Sequence, residues 1–198
     1  MNPQPIFKNI FGKSFQHLPI VLQKRYSNRS YCNEKITVHG VLNIHTSLWM
    51  KLLSPALRLC GALVPYAAKN IHVTVKFESQ PTSNTLCFNR TFNYNNKPPY
   101  TFASDWVPQQ DGNLIEFMRF GLGWKMKCYF RNNKVHLEHV GFIWQIGKYQ
   151  IPLPLHFILG TPYAYETAID DTNFAMYFEI IHPVFGNVFG YQGTFTLE

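Results

Sequence analysis

The chain has 198 residues, 46% hydrophobic and 16% aromatic, which suits one domain spanning 1–198 with a large core and argues against disorder or a helical bundle. Charged residues are only 15%, yet the formal net charge is +7, and before Pro99 the only acids are Glu34 and Glu78. That asymmetry admits an anionic partner, including peripheral membrane contact through the basic N-terminal half, or simply a solvated basic face.

Over 6–26, apolar residues recur at helical spacing (Phe7, Ile10, Phe11, Phe15, Leu18, Leu22), and Pro19 divides the segment into two short helices. Lys8 and Lys13 lie off that stripe. Residues 35–46 alternate, with Ile36, Val38, Leu42 and Ile44 on one face and His39, Asn43 and His45 on the other. The period then changes. Ser47 can cap a helix whose apolar face is Leu48, Leu52, Leu53, Ala56, Leu57, Cys60, Leu63 and Val64, with Lys51 and Arg58 opposite and a kink at Pro55. Two charges and two prolines argue against a membrane span there.

After Asn70 the chain reads as strands, at 72–79, 85–94, 100–107, 113–120, 124–131, 134–144, 163–170, 174–182 and 187–197, separated by turn-rich stretches such as NNKPP, PQQDG and DDTN. The expected fold is α+β: a strongly curved antiparallel sheet or open β-barrel, with N-terminal helices covering one mouth or face.

One strand carries a misplaced charge. In TLCFNRTFNY, residues 85–94, Arg90 shares a face with Leu86, Phe88, Phe92 and Tyr94. Turns centred on Lys97, Gln110, Leu122 and Asn132-Asn133 set Arg90, Ser104, Glu116, Cys128 and Leu137 in one transverse row. Phe102, Trp106, Leu114, Met118, Met126 and Phe130 share that inner face, while Lys125, Lys127 and Arg131 face away. Arg90 and Glu116 then lie about 10 Å apart at Cα, with the Ser104 hydroxyl between them.

Two readings stay open. The row is a buried polar network that holds register, or Arg90 anchors the acidic head group of an apolar or amphipathic molecule held inside the sheet. The candidate ligand-binding set is Arg90, Ser104 and Glu116 with Phe88, Phe92, Trp106 and Tyr191, the last from the closing strand, where Phe189, Phe195 and Leu197 continue an aromatic wall.

Catalytic and metal chemistry find little support. GxSxG, P-loop and dinucleotide motifs are absent, so no cofactor is expected, and FGLGWK lacks the strand–helix context of a nucleotide loop. Glu116 as an acid or base is a third alternative, without a matching nucleophile. His136 and His139 should face opposite sides of their strand, and His39 and His45 stand too far apart, so no metal site is assigned. Inward aromatics disfavour nucleic acid. The four scattered cysteines fit buried thiols, and LPIVL is too short for a secretion signal, so a cytoplasmic protein is expected.

The whole chain resembles a bacterial domain of unknown function, family 4166. The carrying segments are IFKNIFGKSFQHLPIVLQKRY, VHGVLNIHTSLWMKLLSPALRLCGALVP, Phe88-Asn89-Arg90-Thr91-Phe92, Phe102-Ala103-Ser104, YQIPLPLHFILG, and a closing segment with Pro183, Gly186, Tyr191 and Gly193. Phe88 stands where that pattern has Trp, and Tyr26 where it has His. Members occur alone or attached to NAD(P)-binding domains of short-chain or saccharopine-dehydrogenase type. The resemblance therefore implies an interaction module docking onto an oxidoreductase as an alternative function. It carries no catalytic assignment.

Overall fold

The alternating segments form strands, and the computed structural model, which describes residues 4–62 and 66–198, closes them into a barrel. In chain order these are β1 (Lys35–Thr46), β2 (Ala68–Ser79), β3 (Leu86–Asn93), β4 (Tyr100–Pro108), β5 (Asn113–Phe117) and β6 (Leu122–Arg131). They continue with β7 (Lys134–Ile146), β8 (Tyr149–Leu153), β9 (Thr161–Ala168), β10 (Asn173–His182) and β11 (Gly186–Leu197). The helices are α1 (Ile6–Phe11), α2 (Ile20–Arg25), α3 (Leu48–Leu59) and α4 (His156–Leu159), with 3-10 turns at Gly12–His17 and Arg119–Gly121.

Every pairing is antiparallel, in the order β6-β5-β4-β3-β2-β1-β11-β10-β9-β7, and β6 pairs with β7 to close a ring of ten. Strand β7 makes closure possible through its length: Lys134 to Trp144 run beside β6, Lys134 to Glu138 pair with β9, and Phe142 to Ile146 pair with β8. The ring thereby satisfies the strand edges that an open sheet would leave. Close approach is tightest at one glycine. A Cβ on Gly193 in β11 would stand 1.9 Å from the Val41 carbonyl oxygen of β1, so glycine lets these strands pair.

The N-terminal helices plug one mouth. Leu18, Val21, Leu22 and Arg25 recur at i, i+3, i+4 and i+7 and point inward, and Phe7 packs edge-on against Trp106 at 5.9 Å between centroids. At the other mouth lies α3, capped by Ser47, whose Oγ accepts from the Met50 N–H at 3.2 Å. Pro55 cannot bond the Lys51 carbonyl, and the Ser54 hydroxyl donates to it instead at 2.8 Å.

Two expectations are corrected here. The broad apolar face assigned to α3 is two faces: Met50 and Leu57 turn to the barrel, whereas Leu48 and Leu52 are 83% and 72% exposed. Leu63 and Val64 lie outside the described residues. Strand β8 and helix α4 were not expected, because YQIPLPLHFILG has neither period and two prolines interrupt it. Among the described residues, no helix is long and apolar enough to cross a membrane.

Candidate functional site

The inner faces of β3, β4 and β5 bring Arg90, Ser104 and Glu116 together, but through a different register from the one expected. Arg90 pairs with Phe102, Ser104 with Phe88, and Glu116 with both Trp106 and Trp124, so the transverse row does not exist. Only Cys128 opposite Leu137 stands as predicted. The turn centres had been displaced by whole residues: the β5–β6 connection turns at Phe120 and Gly121, both at positive φ (59° and 73°), ahead of Leu122. Each error shifted the pairing by an even number, which moves a side chain along its face and leaves the face unchanged. The polar trio is therefore diagonal.

Arg90 Nη2 donates to Ser104 Oγ at 2.7 Å and to Glu116 Oε1, and Ser104 Oγ donates to the same carboxylate oxygen at 2.6 Å. Arg90 and Glu116 are 6% and 7% exposed. The guanidinium carbon lies 3.7 Å from the Phe88 ring centroid and 4.0 Å from that of Phe102, so both faces of the plane are covered by aromatic rings. Tyr191 stands nearby. Burial pushes its phenol well above the ordinary value, with the Arg90 charge opposing, so it remains a protonated donor.

A second buried pair escaped the sequence reading. Arg25, at the end of α2, reaches Glu166 of β9 at 3.5 Å, and both are 1% exposed. The Arg25 guanidinium lies 3.4 Å from the Phe77 centroid. Arg25 Nε and Nη1, Arg90 Nε and Glu166 Oε2 are buried without a hydrogen-bond partner in the protein. Tyr26, where the family resemblance has His, is buried beside this pair, and its phenol is pushed up by burial and then by the Glu166 charge. Strand parity would have found Glu166, since Pro162, Ala164 and Glu166 share the buried face of β9.

Arg90 borders two cavities, lining both together with Phe88, Met176 and Tyr191. The larger, about 100 Å³, is lined by Phe88, Arg90, Trp106, Glu116 and Tyr191 together with apolar side chains from α3, α4, β6, β7, β9 and β10. Met50, Met118 and Met176 contribute to its wall. The smaller, about 20 Å³, lies between Arg25, Glu166, Arg90 and Phe92. Of the sequence-derived set, then, five residues line the main cavity, Phe92 lines the lesser one, and Ser104 holds the charged pair. A wide groove of about 1100 Å³ near Pro5, Tyr31 and Gln109 is lined by none of them.

The histidines do not converge. His136 bonds the Tyr163 hydroxyl at 2.7 Å and His182 the Phe157 carbonyl at 3.0 Å. Among the described residues, no group of three or more His, Cys, Asp or Glu side chains is placed to hold a metal ion.

The profile of the family described as Domain of unknown function (DUF4166) matches residues 18–195, nearly the whole chain, and the chain belongs to that family. No curated protein matches it.

Proposed function

We propose that this member of the DUF4166 family binds a hydrophobic or amphipathic small molecule inside its barrel, without catalysing a reaction on it. The observation that carries the reading is the 100 Å³ cavity, whose wall is apolar apart from Arg90, Glu116 and the Tyr191 phenol. An apolar chain would lie among Trp124, Leu137, Phe142 and Phe178, and a head group would meet Arg90. Because Glu116 already offsets the Arg90 charge, a weakly acidic group such as a carboxylic acid suits the site better than a phosphate. The cavity is smaller than the roughly 300–1,000 Å³ typical of ligand pockets. Admission of a whole chain therefore requires the three lining methionines, unbranched and adaptable, to change rotamer.

The acid–base alternative at Glu116 has less support, since its Oε1 is already engaged by Arg90 and Ser104. The test is mass spectrometry of the purified protein, native against denatured, with solvent extraction. A co-purifying apolar acid supports the proposal. Its absence, together with failure of added fatty acids to shift the native mass, overturns it.

A further inference from the structure

The barrel's two ends are built differently. At the end where α3 lies, the described residues of the connections are 47–62, 66–67, 94–99, 118–121, 147–148, 154–160 and 183–185. They carry Lys51, Arg58, Lys97, Arg119 and Lys148 and not one Asp or Glu. The opposite end carries Glu34, Asp111, Asp170, Asp171 and Glu198. One end is thus purely cationic in its connections, although the chain as a whole has 11 acids.

That same end exposes apolar side chains from separate elements. On α3, Leu48, Leu52 and Leu59 fall at i, i+4 and i+11, within one narrow stripe, and Leu59 is 67% exposed. Lys51 and Arg58 flank the stripe on one side. The inner face of α3 is already covered by the barrel, so its second apolar face has no core left to join. On the β7–β8 hairpin, Trp144 opposes Ile151 and Ile146 opposes Tyr149, which places all four on one face beside the Gly147-Lys148 tip. All four are exposed, Tyr149 by 65%. Phe120, Phe157, Ile158, Val184 and Phe185 add to the display.

These elements are fastened to one another. The Trp49 indole donates to the Ile158 carbonyl at 2.9 Å and lies 4.9 Å from the Phe185 ring. The Arg119 N–H donates to the Cys60 carbonyl at 3.1 Å, and the Trp144 indole to Phe120 at 2.8 Å. The result is a fixed platform of protruding apolar tips interspersed with cations, above the helices that roof the main cavity.

From this arrangement we infer that the α3 end of the barrel is a docking face for an anionic lipid bilayer. Separate apolar tips set in one cationic end match a soft, negatively charged layer, into which each side chain inserts on its own; Lys and Arg would remain at the head groups. The inference is independent of what the cavity holds.

The test is sedimentation of the full-length protein with sucrose-loaded vesicles of phosphatidylcholine alone and with one third phosphatidylglycerol. Wild-type protein should partition at least tenfold more strongly to the anionic vesicles, and 0.5 M salt should remove most of that preference. K51Q and K148Q should each weaken binding about fivefold, near 1 kcal/mol for each cation lost at such a surface. L52D should weaken it at equal charge density of the vesicle, while K8E and K13E at the opposite mouth should change it less than twofold. Brominated lipid should quench wild-type fluorescence more than that of W144F. Variants are compared only where their thermal unfolding matches wild type, and all of these positions are exposed except half-buried Lys8. Equal partition to neutral and anionic vesicles overturns the inference, as does dependence on Lys8 and Lys13. A lipid-free dimer broken by L52D would make the face a self-association surface and overturns it too.

Discussion

Arg25 and Arg90 share one stacked pair of aromatic rings: the Arg25 guanidinium lies 3.4 Å from the Phe77 centroid, Phe77 stacks on Phe88 at 4.6 Å, and the Arg90 guanidinium lies 3.7 Å from the Phe88 centroid. Each cation has its own carboxylate, Glu166 and Glu116 respectively. The barrel interior is therefore charged yet neutral in sum. This answers why a guanidinium sits in an apolar strand row. Its charge is offset, its faces are covered by rings, and one of its edges borders a cavity.

Removing one partner of the Arg90–Glu116 pair strands the other. R90M should lower unfolding stability by about 3–5 kcal/mol, because a buried carboxylate loses its counter-charge. R90M combined with E116L should recover most of that loss, as replacing both members of a buried pair by apolar side chains is often nearly neutral. Urea unfolding of the two single variants and the double variant gives the coupling. A double variant as unstable as R90M would mean that the pair's value lies in packing rather than charge.

Gly193 should resist substitution. A Cβ there meets the backbone of Val41, which cannot move without separating β1 from β11, so G193A should cost at least about 2 kcal/mol. At Gly186, where nothing lies within 4 Å, alanine meets only the cost of positive φ (65°), about 1–2 kcal/mol. Thermal unfolding of both variants checks the order.

Acid should weaken the fold through His139. Burial, and then the nearby His156, lower its pKa from the usual 6.5 to about 4. The unfolded chain takes up this proton as pH falls through the ordinary value, while the folded chain holds the ring neutral further down. Stability present above pH 6.5 is thus lost progressively towards pH 4. Since the ring is only half-buried, solvent screening should hold the effect to about 1 kcal/mol. H139F should flatten this part of the stability-versus-pH curve, as urea midpoints at several pH values would show.

Cys128 should be chemically silent. It is buried on β6, and burial followed by the Glu166 charge pushes its thiol well above the ordinary value. Iodoacetamide at pH 8 should label Cys32 in the folded protein but reach Cys128 only in denaturant. Peptide mapping of the alkylated protein reads this directly.

The strand faces were legible because alternation survives any even slip in pairing; Arg90, Ser104 and Glu116 met despite three wrong registers. The registers were not legible, since they depend on which turn residues adopt positive φ, and Phe120 gives no sign of doing so. Closure of the ring through β7 was likewise hidden, because one strand serves different neighbours along its length. Arg25 was readable in principle, as it continues the Leu18, Val21, Leu22 spacing, but a helix-terminal arginine beside Lys24 reads as solvent-facing. The exposed stripe on α3 shows the converse: apolar periodicity identifies a helix and not which apolar face the core will cover.

The cavity itself is the point on which the account turns, and Ala164 gives access to it without touching either charged pair. Ala164 is fully buried and lines the cavity wall, so A164L places a larger apolar side chain where a ligand chain would lie. Titration of wild-type protein with a fluorescent fatty acid should saturate at one per chain, and A164L, checked for an unchanged unfolding midpoint, should bind at least tenfold more weakly. Equal binding by both proteins, or none by wild type, would contradict a ligand inside the barrel and leave the Arg90–Glu116 pair as a purely structural device.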